Sequence, residues 1–351
     1  MKGRIYVVDH SFMQNLNNNL EIKANLPKLT SNKIWFKSLT SLIADMFQTQ
    51  IGDYAFFWET KGNNSDSYIW GVYRIISNPF FDTTEPNCIK LKVEPAYSFS
   101  NPITEYDILN DPYNKVDLWN IIGKKIKGIG RASTQLLHYE TEYLIQKLIG
   151  VNTYTAYTFI PPSLKSIHLE NEIKINFNIF DNHIITDYSQ LDINEVSYIK
   201  KDGTVQYEKF MELLFNILIK TDNSEELKKI NISTNNILWY ANYLPYSIDR
   251  SEIDYIIMES SDKVNIDKIN LLEFQKYKLN DDHITKALLY SKWINSKLAK
   301  DSNLTRPIII CETFDDLESQ IVEKEKLYGT NPLEIYTINL KNGILTINKR
   351  R

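Results

Sequence analysis

The sequence predicts an α/β protein in two domains: an N-terminal α+β unit with a curled sheet, and a C-terminal α/β unit built on one mixed sheet. Three observations predict it. The chain has 351 residues, more than a single hydrophobic core usually organises. Up to about residue 155 the text consists of short strand-like runs separated by turns rich in Gly, Asn, Asp and Pro. From about residue 201 onward helical and strand periodicities alternate, the texture of an α/β layout.

In the first domain, residues 1–155, strands are read at YAFFWET (54–60), YIWGVYRII (68–76) and NCIKLKVEPAYSF (87–99). Aromatic and β-branched residues recur in them, as a pleated, half-buried surface favours. Apolar residues at helical spacing then mark helices at 117–126 and 138–149. Pro161 and Pro162 punctuate the next stretch, and residues 156–200 are read as a linker with a strand-rich segment. The second domain, 201–351, opens with the amphipathic YEKFMELLFNILIK (207–220). Strand chemistry follows in NILWYANYLP, SEIDYIIME (251–259) and INLLEFQKY (269–277). A helix at 284–299, a strand at 306–313 and a helix over DLESQIVEKEKLYG complete the order.

With 43% hydrophobic and 24% charged residues, the composition is that of a folded globular chain. No apolar run reaches transmembrane length, and MKGRIYVVDH is too short and polar for a secretory segment. A cytoplasmic protein without a membrane partner is expected. Cys88 and Cys311 lie far apart, each near a strand-like run; they are read as buried small hydrophobes and exclude a Cys-rich zinc site. A net charge of −4 argues against wholesale coating of nucleic acid. It leaves room for a local basic site, because screening confines such fields to about 10 Å at 0.1 M salt.

The chemistry concentrates in LLEFQKYKL, 271–279. Residues two apart in a strand share a face, so Glu273, Gln275 and Tyr277 are expected to point one way and Lys276 and Lys278 the other. Asp254, in SEIDYIIM, sits beside an apolar run, where a carboxylate is costly unless paired or bound to a cation. Two strands each placing one carboxylate in apolar surroundings suit Mg²⁺ or Mn²⁺, which also takes water and phosphate oxygens. Singly, each residue has an ordinary reading as a salt bridge, a turn or a surface charge. The ordered set is what points to chemistry.

Over roughly residues 205–345 that set resembles the PD-(D/E)XK nuclease superfamily: a helix with Glu212, NYLPYSIDRSEID ending on Asp254, LLEFQ, and a helix shaped like the family's Q-x-x-x-Y. Within the superfamily it is similar to archaeal endonucleases that cut mismatched or branched DNA. The resemblance implies that Asp254 and Glu273 hold the metal, with Glu212 contacting it directly or through water. Glu208 lies one turn earlier on the same face; Glu212 is preferred because it sits deeper in the apolar stretch. Two positions depart from the pattern together. The family lysine is Gln275, and the family glutamine is Lys286, in KALLY. A lysine stem reaches about 6 Å, a little over one helical turn, so Lys286 is expected to deliver the ammonium while Gln275 takes the amide role. Asn242 and Tyr243, just before the Asp254 strand, either contact nucleic acid or build the turn around Pro245.

The most basic stretch is KVDLWNIIGKKIKGIGRAST, 115–134, in which Lys115, Lys124, Lys125, Lys127 and Arg131 face the single acid Asp117. Gly123, Gly128 and Gly130 free the backbone N–H groups, and Ser133 and Thr134 add hydroxyls, which together make good phosphate-binding chemistry. It matches neither a dinucleotide fingerprint nor a P-loop. The surrounding text, GDYAFFWETKG, YIWGVYRIISNPFFD, VEPAYSF and PITEYDILND, resembles the EVE branch of PUA-like domains over most of residues 30–150. That branch reads nucleic acid, often by taking a modified base into an aromatic pocket. Trp35, Trp58 and Trp70 are the ring candidates here, with Phe57 and Tyr73 behind them, since a flipped base stacks on such faces.

The expected function is a metal-dependent DNA endonuclease of restriction type, acting on duplex DNA as a homodimer because two strands need two sites. A structure-selective repair nuclease and a non-catalytic nucleic-acid-binding protein with a decayed nuclease fold stand as alternatives. RNA stays open as a substrate, since PUA-like domains often meet RNA.

Overall fold

The computed structural model describes residues 2–25, 45–46, 48–60, 67–82, 85–111, 121, 133–153, 208–220, 224–245, 251–299, 304–315, 317–341 and 344–351. The chain divides into two compact units, the first holding the described residues through Thr153 and the second those from Glu208.

In the first unit the strands are β1 (Gly3–Val8), β2 (Glu21–Asn25), β3 (Tyr54–Glu59), β4 (Tyr68–Ile75), β5 (Phe80–Asp82), β6 (Glu85–Pro95), β7 (Ile103–Thr104) and β8 (Ser133–Leu136). They form one curled mixed sheet in the order β2-β6-β4-β3-β1-β8, with β5 beside β6 and β7 beside β4. Only the β1–β3 pair is parallel among the described pairings. Helices α1 (His10–Asn19), α2 (Glu105–Leu109) and α3 (His138–Val151) accompany it. Strand alternation sorts β1: Ile5 joins Phe56, Trp58, Ile69 and Leu136 in a core sealed by Leu144 and Leu148 of α3. Gly3 permits that closeness, because a Cβ there would stand 2.5 Å from Thr141 Oγ1 of α3. Arg4 and Tyr6 take the other face, beside Phe57. The helix expected at 117–126 lies outside the described residues except for Ile121, which is buried in the α3 core.

The second unit runs α4 (Glu208–Lys220), α5 (Glu225–Lys229), β9 (Ile237–Pro245), β10 (Glu252–Glu259), β11 (Lys268–Lys278), α6 (Asp281–Lys297), β12 (Thr305–Thr313), α7 (Glu318–Tyr328), β13 (Glu334–Lys341) and β14 (Ile344–Lys349). The mixed sheet has the order β14-β13-β12-β11-β10-β9. β11, β12 and β13 are parallel, with α6 and α7 in the two crossovers; the flanking pairs are antiparallel. Ile284, Ala287 and Leu288 of α6 pack with Ile309, Cys311 and Ile335 of the sheet and Ile321 of α7. Phe274 and Tyr255 point to the opposite face, where Phe215 of α4 meets the Phe274 ring at 5.0 Å. β11 is thus covered on both sides, which explains its near-continuous apolar text. No described helix is long and apolar enough to cross a membrane.

Candidate active site

The antiparallel register of β10 and β11 pairs Tyr255 with Leu272. One step further along the same ladder, Asp254 comes opposite Glu273, both on the α6 face. Asp254 Oδ2 accepts the Phe274 backbone N–H at 3.0 Å, which fixes its carboxylate across the strands. Glu273 is only 3% exposed. Its Oε1 accepts from Lys286 Nζ at 2.5 Å, and the same ammonium lies 3.8 Å from Asp254 Oδ1. Its Oε2 is buried and meets no N–H or hydroxyl, and the Glu273 carboxyl also shares a side-chain hydrogen bond with Asp254, which holds its proton on. Burial, then the Asp254 charge, push the Glu273 carboxyl up to about 9, against the pull of Lys286. Burial works against the Lys286 ammonium, but the Asp254 and Glu273 carboxylates outweigh it and its pKa is raised. Lys286 is therefore an ammonium, a donor rather than a base.

Local sequence explains how Lys286 arrives there. Asn280 caps α6 directly after β11, accepting the His283 N–H at 3.1 Å, and this sets the helix phase. Lys286 then lies in the second turn, its Nζ 5.4 Å from the centroid of the Tyr290 ring one turn on. Tyr290 is buried and donates its hydroxyl to the Glu252 carbonyl. The neighbouring helix thus delivers the Lys286 ammonium to the face of β11 that carries Glu273.

Gln275 is buried on the same face, and its amide meets a residue that the sequence reading did not single out. Gln275 Nε2 lies 2.7 Å from His283 Nε2 and 3.3 Å from Nδ1. Burial, then the Lys286 charge, lower the His283 pKa. The available signal was the box at the head of α6, where the third helical position holds His instead of the usual Glu or Gln. The β11–β12 register shifts between Gln275 and Lys278, and Tyr277 beyond it is 68% exposed.

Glu212 was expected to contact the metal directly or through water. It is buried on α4 and accepts the Tyr243 hydroxyl. Glu208, one turn earlier, is the α4 carboxylate whose charge acts on Lys286. Among the described residues no three His, Cys, Asp or Glu side chains converge as a metal cage. Asn242 and Tyr243 belong to β9 rather than to a turn. Asn242 pairs with Tyr255, which sets Tyr243 beside Asp254, and Tyr243 holds a left-handed φ of 56° there.

The N-terminal candidates scatter. Trp58 is 4% exposed in the α3 core, as Phe57 is buried on the other face, so neither offers a ring to a base. Trp70 is half-buried and donates its Nε1–H to Glu59 Oε2 at 2.6 Å. Ser133 and Thr134 are strand residues, not loop donors: Ser133 is buried on β8, where its hydroxyl accepts from Arg4 Nη2 at 3.0 Å. Arg4, unforeseen as a buried cation, also donates to Gln135 Oε1 at 2.8 Å and Gln48 Oε1 at 3.0 Å. Trp35, Lys124, Lys125, Lys127 and Arg131 lie outside the described residues.

No family model and no curated protein matches the chain. Among the solved structures similar to part of it are two that cover nearly their own full length. A hypothetical protein from Leishmania major is 10% identical with a TM-score of 0.30, over 43% of this chain and 97% of its own. The human protein THYN1, solved in complex with DNA containing 5-methylcytosine, is 9% identical with a TM-score of 0.29, over 42% of this chain and 98% of its own.

The donor set in the second unit fits a hard divalent cation. Glu273 Oε2 is an acceptor without a donor, and the Asp254 carboxylate stands across from it. Mg²⁺ needs only one or two carboxylates when water and phosphate oxygens supply the rest. Asp254 and Glu273 are the residues that would hold it.

Proposed function

We propose that this chain is a metal-dependent endonuclease that hydrolyses phosphodiester bonds in DNA, of restriction type, with the N-terminal unit engaging the DNA. One observation carries the reading: two carboxylates on adjacent strands, one buried with a donor-less oxygen, share a lysine ammonium from the next helix. A salt bridge built for stability would satisfy both oxygens of the buried carboxylate. A bound Mg²⁺ or Mn²⁺ would polarise the scissile phosphate and acidify a water molecule.

Within that site Lys286 keeps its proton and donates, holding the attacking water and offsetting the charge that builds on the phosphate oxygens. Asp254 is fixed by the Phe274 N–H at Oδ2, so Oδ1, on the Lys286 side, keeps one direction. Water adds to phosphorus, the P–O bond to the leaving sugar oxygen breaks, and the released proton ends on that oxygen or in solvent. Cutting both strands requires two such sites, hence two chains or two binding events.

The test is cleavage of unmodified plasmid, modified phage DNA and 5-methylcytosine DNA with Mg²⁺ or Mn²⁺. Wild type is expected to give discrete fragments. Asp254→Asn and Glu273→Gln should abolish them, and Lys286→Ala should slow cutting by about 10²–10³-fold. Activity that survives Lys286→Ala at full rate sinks the relocated lysine. Salt-sensitive binding with no cutting of any DNA, branched substrates included, overturns the enzyme reading in favour of a non-catalytic binding protein. Cleavage set by DNA shape and indifferent to sequence replaces the restriction role with repair.

A further inference from the structure

Cross-strand contacts assign the faces of β9. Tyr240 stacks on Tyr255 of β10 with ring centroids 6.1 Å apart, and the Tyr255 hydroxyl donates to Asn216 Oδ1 of α4 at 2.6 Å. Tyr240, and Asn242 opposite Tyr255, therefore lie on the α4 face. Alternation puts Tyr243 on the other face, with Asp254 as its neighbour across the ladder. Its hydroxyl reaches α4 all the same, where Glu212 accepts it one turn before Phe215 and Asn216.

The left-handed φ of 56° at Tyr243 interrupts the alternation. A residue with a Cβ enters that region at a cost, and it persists there only where its surroundings hold it. Here the hold is the hydrogen bond to Glu212, which is 1% exposed on α4, while the Tyr243 side chain is itself buried. The ladder is regular on both sides, with Ile253 opposite Leu244 and Tyr255 opposite Asn242, so the distortion faces Asp254 alone. On its other flank Asp254 is tied to β11, its Oδ2 accepting the Phe274 N–H at 3.0 Å.

We infer that Glu212 serves the site through Tyr243: it anchors the strained β9 backbone opposite Asp254 and so sets where that carboxylate stands. The inference rests on the nuclease reading for its catalytic consequence. In this role Glu212 and Tyr243 are positioning residues, and neither touches the metal or the reacting atoms. An anchor and a metal ligand make different demands on position 212. A ligand for a hard cation must bring negative charge, whereas an anchor needs only an acceptor oxygen at the right reach. Glutamine supplies the second without the first.

The experiment uses the full chain as wild type, Glu212→Gln, Tyr243→Phe and the double variant. Thermal melts in EDTA fix a working temperature at which all four are folded. Mn²⁺ affinity is then read by isothermal titration without DNA, and turnover on plasmid DNA with Mg²⁺. Glu212→Gln is expected to keep both Mn²⁺ affinity and kcat near the wild-type values. Tyr243→Phe keeps the ring and drops the anchor, and it should lower Mn²⁺ affinity and kcat by about 10-fold each, with KM for DNA nearly unchanged. The double variant should lose no more than Tyr243→Phe alone, because the two residues act as one unit. A Glu212→Gln chain that loses about 10-fold or more in Mn²⁺ affinity makes Glu212 a ligand and overturns the inference. Wild-type affinity and turnover in Tyr243→Phe overturn it equally. A chain that shows the expected Mn²⁺ pattern and cuts no DNA overturns the nuclease reading and leaves the anchor standing. A wild type that binds no Mn²⁺ overturns both.

Discussion

Glu273 is a costly residue to bury. It has one ammonium at Oε1, a second carboxylate opposite, and nothing donating to Oε2. Without a cation the native state carries that cost, so Glu273→Gln should raise stability in chelator. A gain of about 1 kcal/mol corresponds to a rise in Tm of about 2–4 °C for a unit of this size. With Mn²⁺ present the order should reverse, because only the wild type gains from ligand binding. Calorimetric scans with EDTA and with Mn²⁺ decide it: a lower Tm for the variant in EDTA would mean that Glu273 is a structural partner of Lys286. Asp254, Glu273 and Lys286 were readable in the sequence because strand alternation and one lysine stem bring them to one face. Glu208 and Glu212 were not separable, since helical spacing puts both on one side; the Tyr243 hydroxyl that claims Glu212 comes from a strand residue 31 positions on. Ser133 misled for the same reason, its partner being Arg4 at the far end of the unit.

Among the elements, α6 shows what periodicity reads and what it misses. The apolar pattern starts at Ile284, whereas the helix starts at Asp281 behind its Asn280 cap. The clipped turn is polar all round, and it carries His283. β1, β2, β13 and β14 also escaped the reading. β2 (EIKAN) holds little apolar text, and a strand at a sheet edge is completed by its partner rather than by its own composition. The Asn280 cap has a measurable role. Asn280→Ala should cost about 1 kcal/mol of stability by urea melt, and Asn280→Asp should recover most of it. Because His283 and Lys286 ride on the first two turns, turnover should fall further than the stability loss explains, with DNA affinity unchanged. Equal turnover in the Ala variant would show that packing of Ile284 and Leu288, not the cap, sets the helix phase.

At the scale of the whole chain, the proposed function puts binding and cutting in different units, and that division would have a signature. The chain carries a net charge of −4, so any attraction to DNA must be local. The stretch 115–134 concentrates Lys124, Lys125, Lys127 and Arg131. If these four cations each meet a phosphate, log K against log salt should have a slope of about −3 to −4, and each removed cation should flatten it by about 0.9. Glu273→Gln, which removes cutting, should leave that slope untouched, since it alters no charge facing the backbone from the first unit. Titrations of labelled duplex from 50 to 300 mM salt, on the wild type, Glu273→Gln and the stepwise Lys→Ala series, measure both at once. A slope that follows the lysines and ignores Glu273 assigns affinity to the N-terminal unit and chemistry to the C-terminal one. A slope that ignores the lysines moves the DNA surface elsewhere, and with it the reason for joining these two units in one chain.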